Sequence, residues 1–89
     1  MIPIEGSVLV DFYADWCMPC KRMDPVLNEF KNSSDVKVVK INIDKHRDLA
    51  LDYGVRSVPC FVFIQNGQEK NRKFGYMPLE SLIRMTKGD

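Results

Sequence analysis

The chain has 89 residues, with 13 basic against 12 acidic side chains and a net charge of +1, so no charged face is expected to bind nucleic acid or a membrane surface. A chain of this length buries about 60 to 65% of its unfolded surface, room for one core, and residues 1–89 are expected to form a single domain acting as a monomer. No apolar run is long enough to cross a bilayer, MIPIEGSVLV has no basic, long apolar or small-residue cleavage region, and three cysteines are too few for a secreted disulfide scaffold; these features point to the cytoplasm.

Residues 1–7, with Pro3 and Gly6, read as an ordered lead-in or a fragment of edge strand. Val8 to Tyr13 is apolar except for Asp11, the pattern of a central strand covered on both faces. From Cys17 to about Lys31, Cys20, Met23, Val26, Leu27 and Phe30 recur at helical spacing, with Lys21, Arg22, Asn28, Glu29 and Lys31 opposite, which predicts a one-face helix. Pro19 suits its first turn, and Pro25 in its interior predicts a kink. After a polar turn over 32–35, a second strand over 36–43 places Val39, Ile41 and Ile43 on one face and Lys40 and Asn42 on the other.

Asp44 is positioned to cap a short helix that runs to about Tyr53, turns Leu49, Ala50 and Tyr53 inward, and stops at Gly54 in a left-handed conformation. The strand-helix-strand alternation calls for a parallel pair joined by a crossover. Cys60 to Ile64 is an apolar β run, and Asn66-Gly67 marks a two-residue hairpin. The return strand over 69–74 is mostly charged; its Lys70, Arg72 and Lys73 read as protection of an exposed edge. Gly75 ends that strand, and Pro78 opens a terminal helix with Leu79, Leu82 and Ile83 inward. The expected fold class is α/β, in the order βαβαββα, with a four-stranded mixed sheet flanked by helices.

Chemistry concentrates in Cys17-Met18-Pro19-Cys20, where the first strand gives way to the first helix. Thiols three positions apart on a first helical turn can close a small disulfide ring. The unpaired N–H groups and positive dipole end of the helix favour a thiolate on the first of them. Cys17 is therefore the candidate nucleophile, and Cys20, one turn further in, the candidate resolving thiol. Two structural cysteines or half of a zinc site are the alternatives, but zinc would need two more ligands, and Cys60 and His46 lie far along the chain. Asp11, in the middle of an apolar strand, must be paired or neutral, since burial raises the pKa of a carboxyl group. It is the candidate general base for Cys20, acting through water, unless it is a structural carboxylate satisfied by Lys40 or by backbone.

Four stretches carry a resemblance: Val10 to Lys21 (VDFYADWCMPCK), Val39 to Asp44 (VKINID), Tyr53 to Pro59 (YGVRSVP), and Asn66-Gly67 with Gly75. In this order and spacing they resemble the thioredoxin family over about residues 8–85. The resemblance implies a thioredoxin-like fold and a protein-disulfide reductase. It implies that Pro59 is the family's cis-proline beside the disulfide, that the backbone of Val58 pairs with an extended substrate, that Asp11 is the aspartate beneath the second cysteine, and that Lys40 is the lysine near it. Trp16, Met18, Pro19, Val58, Pro59 and Gly75 are then the substrate-docking surface. No bound cofactor or metal is implied beyond the redox-active disulfide. Electrons would come from NADPH through the FAD of a thioredoxin-reductase-like flavoprotein. The sequence departs from the family in lacking its usual first strand and helix, in carrying Met18 where glycine is usual, and in placing Cys60 directly after Pro59. Without the lead elements the second strand should be a sheet edge unless residues 1–7 cover it. Cys60 reads as a small buried strand residue, against a regulatory third thiol. A glutathione-driven glutaredoxin-like enzyme and a non-catalytic binding subunit are the alternative functions.

Overall fold

Alternation of side chains along Ser7–Tyr13 (β1) decides the architecture, because this strand lies inside the sheet and must satisfy both of its faces. In the computed structural model, which describes residues 2–88, β1 is followed by α1 (Met18–Ser33), β2 (Lys37–Asn42), α2 (Arg47–Asp52), β3 (Cys60–Gln65), β4 (Gln68–Phe74) and α3 (Leu79–Met85). The sheet order is β2-β1-β3-β4, with β1 parallel to β2 and antiparallel to β3, and β3 antiparallel to β4. The expected βαβαββα order and mixed four-stranded sheet are borne out.

Leu9 from β1 joins Phe61 and Phe63 from β3 under α1 and α3, which contribute Met23, Leu27, Phe30, Leu82 and Met85. On the opposite face Val8, Val10 and Phe12 meet Ile41, Cys60, Val62 and Ile64, with Leu49 and Tyr53 of the α2 region packed over them. Asp11, two residues from Leu9, therefore falls on the face covered by α1. Helix α1 runs as one element through Pro25, where a kink is expected, and ends at Ser33. Strand β2 is an edge. The lead-in lies at the far end of the sheet, where Gly6 exchanges hydrogen bonds with Asn66: its N–H donates to Asn66 Oδ1 at 2.9 Å, and its carbonyl accepts from the Asn66 N–H at 2.9 Å.

Helix α2 corrects one expectation. It begins only at Arg47, His46 occupies the N-cap position without a side-chain bond, and Asp44 does not cap it. The reason is Asn42, whose Oδ1 accepts from the N–H groups of Asp44 at 2.9 Å and Lys45 at 3.3 Å and winds the chain into a turn before the helix starts. The end of α2 is as expected. Gly54 has φ +64°, its N–H donates to the Leu51 carbonyl, and the Val55 N–H donates to the Ala50 carbonyl at 2.8 Å, the paired bonds of a Schellman ending. Asn66 (φ 50°) and Gly67 (φ 81°) form the two-residue turn joining β3 and β4. The register then slips, Phe63 facing Asn71 while Ile64 faces Glu69, so Lys70 is an extra residue that no sequence signal marks.

Nothing lies within 4 Å of a Cβ built on Gly54, so a side chain there meets only the conformational penalty of the left-handed region. Gly54→Ala is expected to lower the unfolding free energy by about 1 kcal/mol in urea titration. Leu51→Ala, at a largely exposed position of the same helix, should change it by less than about half that.

Candidate active site

The site is assembled where β1 ends and α1 begins. Tyr13, Ala14 and Asp15 carry the chain off the sheet, the Cys17 N–H donates to the Ala14 carbonyl at 3.2 Å, and Cys17 becomes the N-cap residue of α1. Its Sγ accepts the Cys20 N–H at 3.2 Å, the place usually taken by a serine or aspartate oxygen. A sulfur seated there lies at the positive end of a 16-residue helix. Cys17 and Cys20 are joined as a disulfide with a Cα–Cα distance of 5.3 Å. Each is only 4% exposed, so in the oxidised form the first cysteine is no more open than the second. Ala14 completes this small cluster, and Tyr13, Ile43 and Val58 pack against it.

Val58 thus reaches the disulfide from the loop before β3, some forty residues later. The Val58–Pro59 peptide bond is cis, and the Pro59 carbonyl accepts the Gly75 N–H at 2.8 Å, which brings the end of β4 to the same rim. Trp16 and Met18 are 68% and 61% exposed, and the Trp16 Nε1–H donates to Asp44 Oδ2 at 2.9 Å. That bond is the task Asp44 performs in place of helix capping. Phe74 and Tyr76, exposed on either side of Gly75, add apolar surface that no motif in the sequence marks. Pro19 sits in the first turn of α1. Cys60 lies on the α2 face of the sheet, fully buried, and burial pushes its thiol above the ordinary value.

Asp11 is 1% exposed, and its Oδ1 has no hydrogen-bond partner. Desolvation by burial raises its pKa from the ordinary 3.8 to about 7; Lys40 opposes that rise and Asp24 adds to it. Lys40 faces Asp11 across the β1–β2 register, yet its Nζ donates to Asp24 Oδ1 at 2.8 Å and lies 4.7 Å from the centre of the Tyr13 ring. Burial pulls the Lys40 pKa down, and the Asp24 bond and charge, together with the nearby Asp11 and Tyr13, outweigh this and hold it above its ordinary value. Lys40 therefore does not satisfy Asp11 by a direct bond. A cavity of about 160 Å³ is lined by Tyr13, Ala14, Asp15, Cys20, Lys21, Asp24 and Lys40. Asp24 was missed in the sequence, although it stands four residues after Cys20 and so on the same side of the helix. Among the described residues no group of three or more His, Cys, Asp or Glu side chains is placed to hold a metal ion.

Residues 3–87 match the family model for Thioredoxin. The chain belongs to the thioredoxin family. It is 43% identical over 81 residues to the thioredoxin of Chlamydia caviae, covering 90% of this chain and 79% of that one. It is 41% identical over 78 residues to the thioredoxin of Rickettsia felis, covering 85% and 74%. Among solved structures it is similar to a mutant thioredoxin from Halobacterium salinarum (TM-score 0.89, 36% identity, 93% of this chain and 74% of that one). It is also similar to reduced Schistosoma mansoni thioredoxin pre-protein (TM-score 0.87, 32% identity, 93% and 78%). Like its family, the protein is a thiol-disulfide oxidoreductase that reduces protein disulfides through a redox-active disulfide; the family uses no cofactor of its own.

The Asp11 environment has a stability consequence. A carboxyl group whose pKa is higher in the folded than in the unfolded chain favours folding most when protonated in both, and that advantage is lost as pH rises from about 4 through about 7. A shift of this size corresponds to about 4 kcal/mol at 1.36 kcal/mol per unit. Urea unfolding of the oxidised protein is expected to show stability falling by a few kcal/mol across that window. Asp11→Asn should flatten the fall and be the more stable protein at pH 8; an unchanged pH dependence would contradict the assignment.

Proposed function

We propose that Cys17 is the nucleophile, Cys20 the resolving thiol and Asp11 the proton acceptor in this reduction. The observation that carries the reading is the Cys17 sulfur seated as the N-cap of α1 and bonded to Cys20, one turn away. In the dithiol form, the N–H groups and dipole at that helix end stabilise a Cys17 thiolate. The thiolate attacks one sulfur of a substrate disulfide; the substrate S–S bond breaks, one substrate sulfur leaves as a thiolate and is protonated, and the other remains bonded to Cys17. Cys20 gives its proton, through water, to the Asp11 carboxylate and attacks the Cys17 sulfur. The mixed disulfide breaks, the second substrate sulfur leaves, and the Cys17–Cys20 bond carries away the two electrons' worth of oxidation.

The apolar rim of Trp16, Met18, Pro19, Val58, Pro59 and Gly75 receives the substrate as an extended segment, with backbone hydrogen bonds giving tolerance of many sequences. Exposure of Trp16 and Met18 beside the disulfide supports this reading. The dithiol is regenerated by a flavoprotein reductase that passes electrons from NADPH through FAD. The protein works as a single-domain monomer in the cytoplasm; no helix of the described residues is long and apolar enough to cross a membrane.

Insulin reduction driven by NADPH and a thioredoxin reductase tests these roles. Cys17→Ser is expected to fall to background. Cys20→Ser should accumulate a mixed disulfide on Cys17, visible as a mass increase reversed by dithiothreitol. Turnover surviving in Cys17→Ser would contradict the nucleophile assignment, and turnover supported by glutathione but by no reductase would favour the glutaredoxin-like alternative.

A further inference from the structure

Asp15, Lys21, Asp24 and Lys40 line the cavity beside the disulfide, and the mechanism uses none of them. Asp24, on α1, accepts from Lys40 Nζ at 2.8 Å, and both line the cavity that Cys20 also lines. Lys40 stands directly opposite Asp11 in the parallel register of β1 and β2, on the same sheet face, so its ammonium has two carboxyl groups to choose from. It is bonded to Asp24, and Asp11 Oδ1 is left buried without a partner. The charged and titratable groups that bear on Asp11 are Lys40 from β2, Asp24 from α1 and the Cys60 thiol from β3. Helix α3, which covers the same face, presents Leu82 and Met85 to that core. Lys40 is therefore the one cation in this set, and where its ammonium sits tunes the ionisation of Asp11 that burial opposes.

We infer that Asp24 is a positioning residue, which holds the Lys40 ammonium on the cavity side and withholds from Asp11 the cation that would fix it as a permanent carboxylate. The inference rests on the reading that Asp11 exchanges a proton with Cys20. A carboxyl group paired with an ammonium is a weak proton acceptor near neutrality, whereas an unpaired buried one can take a proton and release it again. Tyr13 assists by lying against the ammonium. The direct effect of Asp24 acts in the same direction, since its negative charge also disfavours ionisation of Asp11.

The test is a carbon-detected NMR titration of the Asp11 carboxyl group in the oxidised forms of the wild type, Asp24→Asn, Lys40→Gln and the double variant. Both changed side chains are partly exposed, so the fold should tolerate their loss. Releasing Lys40 by Asp24→Asn is expected to lower the Asp11 midpoint by about one unit. The same change made in the Lys40→Gln background should move it less than half as far. No downward movement in Asp24→Asn would overturn the inference, as would a movement in the Lys40→Gln background at least half as large, which would assign the effect to the Asp24 charge alone. Stopped-flow resolution of a Cys17 mixed disulfide by the same proteins separates the two claims. Should the Asp11 midpoint move without the rate profile following it, the hold of Asp24 on Lys40 stands and the proton-transfer role of Asp11 fails.

Discussion

A carboxyl group in the middle of a central strand must be paired or neutral, and the protein leaves Asp11 unpaired. That constraint organises much of the site. The strand that carries Asp11 is covered on one face by α1 and on the other by the α2 side of the core, so neither face lets water solvate the charge freely. Burial raises the pKa to about 7, which brings the group into the range where a proton acceptor for a thiol is effective. The accompanying loss of stability is the kind of local conflict between fold and chemistry that functional sites retain.

The same geometry explains why the disulfide depends on distant parts of the chain. Helix α1 must begin at the end of β1 for a sulfur to take the N-cap position, and the loop before β3 must return to bring Val58 against Cys17 and Cys20. Trp16 is tied to the turn after β2 through Asp44, so three crossings of the sheet end meet at one small rim. The sheet holds these loops in register because β1 pairs with strands on both sides, which makes the rigid middle of the fold the support for its exposed edge.

Much of this was legible in the sequence, and what was not has identifiable physical causes. The apolar run of Val8 to Tyr13 broken only by Asp11, helical spacing from Cys20 to Phe30 and the Asn66-Gly67 turn determined elements that the structure contains at nearly the expected limits. Cys17, Cys20 and Asp11 stood out because each is costly or reactive in its position. Asp44 was misread because a capping residue and a turn residue share the same chemistry, and the competing Asn42 acceptor lies two residues before it. The Lys40–Asp24 pair was invisible for another reason: it joins β2 to α1, and an aspartate on a charged helix gives no sign of which strand residue it meets. The slip at Lys70 likewise arises between strands and leaves no mark along either one.

The proposed mechanism depends on proton exchange between Asp11 and Cys20. Its most direct test is the pH dependence of mixed-disulfide resolution, measured in single turnovers for the wild type and Asp11→Asn. The wild-type rate should rise with pH through an inflection near 7, and Asp11→Asn should be slower and lack that inflection. Superimposable profiles for the two proteins would contradict it.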